Sequence, residues 1–389
     1  MPFYHRLGEI PRKRHVAFRQ ADGTLLAEEL MGNHGFSGPS VLLYHLRPPT
    51  SFRSVKPCGP QEGWQAEPSP ALGHRHFLTP RLGEASSMAM GRVPLLYNRD
   101  VAMSFARVAK ADPFFYRNAQ GDELVYVSSG SGVLESMMGE VPFDPGDYLV
   151  VPRGIVHRYR ITHGPLECLF FESAGSVRIP KHYRNPLGQL LESAPYCERD
   201  IRPPEALPIF DEKGDFPIRV KRDNRFVEAV LDHHPFDVVG WDGAYYPWAF
   251  QIRDFEPRVG LVHLPPPVHQ TFEGDGFVIC SFVPRPYDFH PEAIPAPYHH
   301  SNCMTDEVLF YASDEFMSRK GIARGSVTLH PDGLPHGPQP GRTEASIGKA
   351  RTDELAVMLD TFRPLRVSAQ ALDIEDRGYP ASWLEGENA

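Results

Sequence analysis

Short apolar runs separated by glycine and proline turns dominate the hydrophobic pattern of this chain. Over residues 101–176, runs such as ELVYV and DYLVV alternate with the turns AQGD, GSG and DPGD. Strands of about five residues bounded by such turns are typical of a small barrel built from two sheets. Similar runs, among them FVEAVL and GFVICSFV, resume over residues 216–290. The pattern therefore predicts an all-β protein.

The two ends of the chain have a different pattern. Residues 1–100 are rich in glycine, proline and aromatic residues and contain runs such as VLLYHL, which predict an N-terminal β-layer and arm. Residues 352–367, TDELAVMLDTFRPLRV, suit either a last strand or a helix. The segment DRGYPASWLEGENA that follows at 376–389 is interpreted as a short, polar C-terminal extension.

An internal repeat relates the two halves of the chain. The segment GDYLVVPRGIVH at 146–157 recurs as GSVTLHPDGLPH at 325–336, with identical spacing of its Gly, Pro, Gly and His positions. This spacing resembles the second conserved motif of the cupin jelly roll. Because a long repeat found twice indicates a duplicated domain, we predict a duplicated cupin barrel. Its halves are expected at 1–215, which includes an arm and a linker, and at 216–389.

The repeat also separates a candidate metal site from its counterpart. Upstream of Glu307, the second half has His300, where the first half has Tyr116 upstream of Glu123. The first barrel is therefore expected to hold no metal. In the second, His300, Glu307 and His336 offer two imidazoles and one carboxylate, the facial arrangement of non-haem Fe(II) oxygenases.

Two neighbouring residues compete with this ligand set. Asp306 is the alternative carboxylate, and the preference for Glu307 depends on cupin spacing. His299 should face away from His300 if the segment is extended, because successive side chains of a strand point to opposite faces.

Composition and charge exclude several classes of function. The formal net charge of −9, with no basic cluster, argues against a nucleic-acid partner. No apolar run approaches the length needed to span a bilayer, and the first residues lack a secretory pattern. Five cysteines without paired spacing indicate reduced thiols. These features predict a cytoplasmic protein.

Three segments together resemble the homogentisate 1,2-dioxygenases: AEELMGNHGFSGP, YHHSNCMTDE and LHPDGLPHGP. The resemblance implies that His300, Glu307 and His336 hold Fe(II) and that O2 and a small aromatic substrate are the reactants. It implies that homogentisate is opened to maleylacetoacetate in tyrosine and phenylalanine breakdown. His263 is then the expected acid or base, with His269 in reserve. A homo-oligomer, either a trimer or a hexamer built of trimers, is also implied.

The resemblance has departures that bear on the substrate. The family tyrosine that helps to hold the substrate aligns with Phe316, and the spacing from His300 to Glu307 is one residue longer, which keeps Asp306 open as a ligand. His336, His330 and Phe316 are the expected substrate contacts, and His330 is also a candidate for orienting a ligand. Two other classes stay open: a cupin isomerase or decarboxylase using Mn or Zn, and a non-enzymatic ligand-binding bicupin.

Overall fold

Strands follow one another through the residues that this computed structural model describes, 2–35, 37–60 and 73–384. The first thirteen are β1 (His5–Gly8), β2 (Ala27–Gly32), β3 (Ser40–His45), β4 (Phe52–Pro60), β5 (Arg75–Leu78), β6 (Val93–Tyr97), β7 (Val101–Val108), β8 (Phe115–Asn118), β9 (Asp122–Ser136), β10 (Gly139–Phe143), β11 (Asp147–Val151), β12 (His157–Ser173) and β13 (Ile201–Arg202). The others are β14 (Lys213–Arg222), β15 (Arg225–His233), β16 (Val238–Gly243), β17 (Trp248–Gln251), β18 (Gln270–Gly274), β19 (Phe277–Phe282), β20 (Arg285–Pro286), β21 (Asp306–Tyr311), β22 (Ser326–His330), β23 (Arg351–Thr352), β24 (Ala356–Thr361) and β25 (Arg366–Val367).

Helices are few and short. The α-helices are α1 (Arg342–Ser346) and α2 (Ala369–Asp373). Single 3₁₀ turns form at Thr79–Arg81, Lys181–Tyr183, Glu198–Asp200, Ile252–Asp254, Pro266–His269 and Tyr379–Trp383. The prediction of an all-β protein is confirmed, and the segment that suited a strand or a helix contains β24. Among the described residues, no helix has the length and apolar character that a membrane crossing requires.

Two large sheets carry most of the chain. One has thirteen strands and centres on β9, which pairs with β10, β11 and β12; the other has six strands in the order β18-β19-β24-β21-β22-β5. A four-stranded sheet, β1-β16-β3-β2, forms the predicted N-terminal layer, and β20 pairs with β23. The site described below lies on the six-stranded sheet.

The two halves repeat the same strand pairings. Glu123 of β9 lies opposite Val151 of β11, and Glu307 of β21 lies opposite His330 of β22. On the other side, β9 pairs with β12 as β21 pairs with β24. The repeat seen in the sequence is thus present in the register of the sheets.

Glycines at matched positions turn the chain between these strands. Gly146 directly precedes β11 and has φ of 95°, and Gly325 directly precedes β22 and has φ of 84°. After these strands, Gly154 and Gly333 have φ of 85° and 77°. A residue with a Cβ is sterically strained in this left-handed backbone conformation, which glycine adopts without strain. The conserved spacing of glycine in the repeat therefore reports two identical pairs of turns.

The sheets do not divide at the predicted boundary between residues 215 and 216. Strand β14 crosses that boundary and β15 to β17 follow it, yet these four strands pair with β8, β4, β3 and β11 of the first half, respectively. In the reverse direction, β5 forms the edge of the second sheet beside β22. Hydrogen bonding at sheet edges, rather than position along the chain, decides which half a strand belongs to.

One apolar core joins the halves. Tyr126 of the first sheet lies 6.0 Å from Phe310 of the second, between ring centroids, and Tyr148 lies 5.2 Å from Phe272. The Tyr148 hydroxyl also hydrogen-bonds Ser281 at 2.8 Å. Because buried aromatic pairs dominate core energetics, these contacts fix the second sheet against the first.

Candidate metal centre

Strand β21 separates the two competing carboxylates onto opposite faces. The Asp306 side chain accepts the backbone N–H groups of Asp332 at 2.9 Å and Leu365 at 2.7 Å, so both of its oxygens tie loops to the strand. Glu307 points to the other face, towards the histidines. The structure therefore groups Glu307, and not Asp306, with His300 and His336.

Backbone hydrogen bonds hold the two histidines side by side. The N–H of each of His300 and His336 donates to the carbonyl of the other at 2.8 Å. Each ring directs Nδ1 at a nearby carbonyl, that of Tyr298 at 3.1 Å and that of Leu334 at 3.4 Å. A ring that donates from Nδ1 presents an unprotonated Nε2. Both Nε2 atoms face Glu307, at 3.6 Å from His300 and 3.4 Å from His336.

This donor set fits a divalent metal ion. Two atoms that bind one ion at about 2.1 Å and at right angles lie about 3 Å apart, and the three side chains offer ligand atoms within 4.8 Å of one another. Nε2 of His336 is buried and has no hydrogen-bond partner among the described residues. A bound ion would satisfy this atom.

Glu307 is held as the anion that a metal needs. Burial alone would raise the pKa of its carboxyl group, but the hydrogen bond from His330 and the nearby rings of His300 and His336 outweigh burial and place the pKa well below the usual value. Asp360 lies opposite Glu307 on β24, and its pKa is shifted in the opposite direction. Burial, and then the charge of Glu307, raise the pKa of Asp360 well above its usual range.

His330 lies behind Glu307 and not in the substrate space. It is fully buried, with Nδ1 2.9 Å from the Glu307 carboxylate and Nε2 3.1 Å from the Tyr379 hydroxyl. Burial, followed by the charge of Arg319, lowers the pKa of His330 to about 3, so the ring is neutral. The prediction of a substrate contact at His330 is wrong, because both ring nitrogens are used; the ring orients the carboxylate instead.

Residues that the sequence did not suggest complete the surroundings. The ring of His74 lies 5.4 Å from that of His330 and 4.9 Å from that of Trp383, between centroids. Tyr379 and Trp383 belong to the segment interpreted as a polar tail, and that interpretation is wrong: Tyr379 is buried against His330. The apolar pattern YPASW was the signal available in the sequence.

A cavity of about 370 Å³ opens beside the three side chains. Its volume lies in the range of small-molecule sites. The predicted residues on its wall are His263, His269, His300, Glu307 and Phe316. The cavity wall does not include His336, which is buried behind it.

The two candidate acid–base histidines differ in their surroundings. The side chain of His263 is 41% exposed, and its Nδ1 lies 3.6 Å from the Asp288 carboxylate. His269 is buried against Phe282, with ring centroids 4.6 Å apart. Burial and then Arg285 lower the pKa of His269 to about 3. His263 is thus the ring with solvent access and a carboxylate partner.

Charged and aromatic groups shape the rest of the cavity. Arg285 pairs with Glu354 at 2.9 Å. Buried Arg319 donates to the Gly337 carbonyl at 2.7 Å, and its Nε has no hydrogen-bond partner among the described residues. Phe316 packs on Tyr311, with centroids 5.0 Å apart. A ring with an acidic substituent would meet both a phenyl face and a guanidinium here.

Comparison with known proteins places this architecture in a family. The model of the protein family described as "Homogentisate 1,2-dioxygenase N-terminal" matches residues 97–252. The chain is 43% identical to "Putative dioxygenase SSO1533" of Saccharolobus solfataricus, over 98% of this chain and 99% of that protein. It is 29% identical to homogentisate 1,2-dioxygenase of Bradyrhizobium diazoefficiens, over 94% of this chain and 86% of that enzyme.

Among solved structures, a cupin 2 conserved barrel domain protein from Leptotrichia buccalis matches 74% of this chain and 95% of its own, with 12% identity and a TM-score of 0.35. That likeness is too low to support a conclusion. The sequence relatives are sufficient: the chain belongs to the homogentisate 1,2-dioxygenase family. The predicted resemblance is confirmed, and the relatives support a dioxygenase role.

Proposed function

We propose that this chain is an Fe(II) dioxygenase that inserts both atoms of O2 into homogentisate or a closely related hydroquinone-type acid. From homogentisate the ring-opened product is maleylacetoacetate. The observation that carries the proposal is the set of His300, Glu307 and His336 beside a cavity of about 370 Å³. Two imidazoles and one carboxylate leave open positions for substrate and O2.

Fe(II) is the ion proposed for these three residues. Once bound, it would acidify a coordinated phenol and let electrons pass from the ring to O2. The protein's part is to keep the Nε2 atoms unprotonated and Glu307 ionised, for which the contacts of Nδ1 and of His330 are suited.

His263 is the proposed acid–base residue. With Nδ1 turned to Asp288, its Nε2 would accept the phenolic proton, and the ring would return it to the product. The exposed side chain would exchange that proton with solvent. His269, buried and with its low pKa, is the weaker base and serves as part of the wall.

Arg319 is proposed to bind the carboxylate of the substrate. Among the described residues it forms no ion pair, whereas Arg285 is already paired with Glu354. An arginine that meets a carboxylate in a buried place forms a strong, directional contact. Phe316 would pack on the aromatic ring without donating a hydrogen bond. His336 would act as a metal ligand rather than as a direct substrate contact.

Anaerobic reconstitution with Fe(II), followed by O2 consumption, tests the proposal. Homogentisate, gentisate and hydroquinone would be compared on the same preparation. Rapid uptake with homogentisate and a yellow ring-opened product is the expected result. O2 uptake with only one of the other diphenols would support the iron site and replace homogentisate as the proposed substrate. Bound iron without any O2 uptake would overturn the dioxygenase proposal.

The homo-oligomer implied by the family stays a prediction. Light scattering of the purified chain would measure its mass, and a monomer would contradict it.

A further inference from the structure

The first barrel contains the framework of a second site. Tyr116, Glu123 and His157 occupy the places that His300, Glu307 and His336 occupy in the second barrel. Tyr116 lies opposite His157 in the pairing of β8 with β12, as His300 lies opposite His336.

The supporting contacts are the same in both barrels. Asp122 accepts the N–H groups of Arg153 and Val177, each at 3.0 Å, as Asp306 accepts two N–H groups from its own loops. His157 directs Nδ1 at the Ile155 carbonyl, 3.0 Å away, just as His336 directs Nδ1 at Leu334. Two ligand positions of the first barrel are thus built as in the second.

His157 also has the unused atom that marks a ligand. It is fully buried, and its Nε2 has no hydrogen-bond partner among the described residues, the condition found for His336. A buried nitrogen without a partner costs free energy unless something satisfies it. In the second barrel a metal ion would do so. The first barrel has a cation that contacts Glu123 and leaves Nε2 of His157 without a partner.

That cation is Arg92. Its guanidinium donates from Nη1 and Nη2 to the two oxygens of Glu123, at 2.7 and 2.9 Å, and from Nε to the Met88 carbonyl at 2.7 Å. It lies 3.9 Å from the ring centroid of Phe170 and is itself buried. The Tyr116 hydroxyl and the Asn118 side-chain amide also donate to Glu123, at 3.0 and 2.8 Å. A planar guanidinium matches a carboxylate through two parallel hydrogen bonds.

We propose that the first barrel is a metal site in which the guanidinium of Arg92 has taken the place of the ion. Removing Arg92 and placing an imidazole at position 116 should then open this site to a divalent transition metal. The ligand nitrogens and carboxylate would suit Co²⁺, Zn²⁺ or Fe(II). The native chain accordingly takes up no metal in its first barrel. This proposal does not depend on the activity of the second barrel.

The test counts ions per chain in the full-length protein. The native chain and the double variant Arg92→Ala, Tyr116→His would be saturated with Co²⁺, and metal content and the visible Co²⁺ spectrum measured. The double variant is expected to hold one ion more per chain than the native protein. The difference is the readout, so the result holds whatever the second barrel binds. A folded double variant with unchanged metal content would overturn the proposal.

Two further variants keep the test decisive. Tyr116→His alone, with Arg92 retained, should show the native ion count, because the guanidinium still fills the space. Adding Glu123→Gln to the double variant should remove the extra ion. If the double variant is unfolded without metal, Co²⁺ should restore its far-ultraviolet circular dichroism; a chain that remains unfolded in excess Co²⁺ would also contradict the proposal.

Discussion

Nδ1 of His330 lies 2.9 Å from the carboxylate of Glu307, and Nε2 of the same ring lies 3.1 Å from the Tyr379 hydroxyl. The neutral ring donates to Glu307 and accepts from Tyr379, which fixes both the tautomer and the direction of the carboxylate. The segment at 379–383 thereby supports Glu307, a proposed metal ligand that precedes Tyr379 by 72 residues (379 − 307).

Replacing His330 by phenylalanine should weaken metal binding without removing a ligand. The ring volume is kept, but Glu307 loses the donor that orients it, and loss of such a contact costs about 10–100-fold in metal affinity. Calorimetric titration with Fe(II) or Co²⁺ would measure the change. Tyr379→Phe, which leaves the His330–Glu307 hydrogen bond in place, should have a smaller effect. Equal affinity of native and His330→Phe proteins would contradict this role.

His300→Ala should abolish iron binding and turnover, because only one imidazole and one carboxylate would remain. His299→Ala is the matched control, since His299 is adjacent and exposed. Iron content after anaerobic reconstitution and O2 uptake would be measured on both. A fully active His300→Ala protein would remove His300 from the metal site.

The two acid–base candidates are separated by kinetics at full iron loading. His263→Ala should lower kcat by about 10²–10⁴-fold, the usual contribution of a positioned acid or base, with iron content unchanged. His269→Ala should change kcat much less, because His269 is buried and serves as part of the cavity wall. The opposite pattern would transfer the role to His269.

Arg319→Met should discriminate between substrates with and without a carboxylate. The variant loses the guanidinium proposed to bind that group, so kcat/KM for homogentisate should fall by roughly 10–100-fold, as expected for a charged hydrogen bond of about 1.5–3 kcal/mol. Uptake with hydroquinone, which lacks the carboxylate, serves as the internal control and should change little. Equal losses with both substrates would indicate a structural role for Arg319.

Stability at acidic pH should depend on Glu123. Burial raises the pKa of Glu123, but Arg92 and the hydrogen-bond donors around it lower the pKa to about 2, from 4.5. Because the folded-state pKa is the lower one, this carboxylate stabilises the fold fully above pH 4.5. That contribution, of order 3 kcal/mol, is lost as the pH falls towards 2.

Urea unfolding of the metal-free chain at several pH values measures this contribution. Glu123→Gln should be less stable near neutral pH, since Arg92 loses its partner, and its stability should fall less steeply in acid. Glu205→Gln, at an exposed position, is the control and should follow the native curve. Parallel acid limbs for Glu123→Gln and the native chain would contradict the assignment.

Much of what could be predicted from the sequence depends on the spacing of residues that are close together in the chain. The strands, the duplicated turns and the ligand positions of the second half all depend on short-range pattern, and the repeat adds an internal comparison. The choice between Asp306 and Glu307 depended on which face of β21 meets the histidines, and only the sheet register decides that.

Long-range contacts account for what the sequence did not reveal. Arg92 reaches Glu123 from the segment before β6, and Tyr379 reaches His330 from beyond β25. Neither contact leaves a spacing rule in the chain, because the partners meet only when the sheets assemble. The predicted division at 215 and 216 failed to match the sheets for the same reason.

The pairing of β5 with β22 has a consequence for how the protein is made. His76 of β5 and Ser326 of β22 are hydrogen-bonded at a sequence separation of 250 residues. At ribosomal rates of roughly 5–20 residues per second, β5 is synthesised about 10–50 seconds before its partner strand β22. During that interval nascent chains expose an unpaired strand edge, a surface prone to aggregation. Yield in the cell should therefore depend on chaperone capacity more than the stability of the finished fold would suggest.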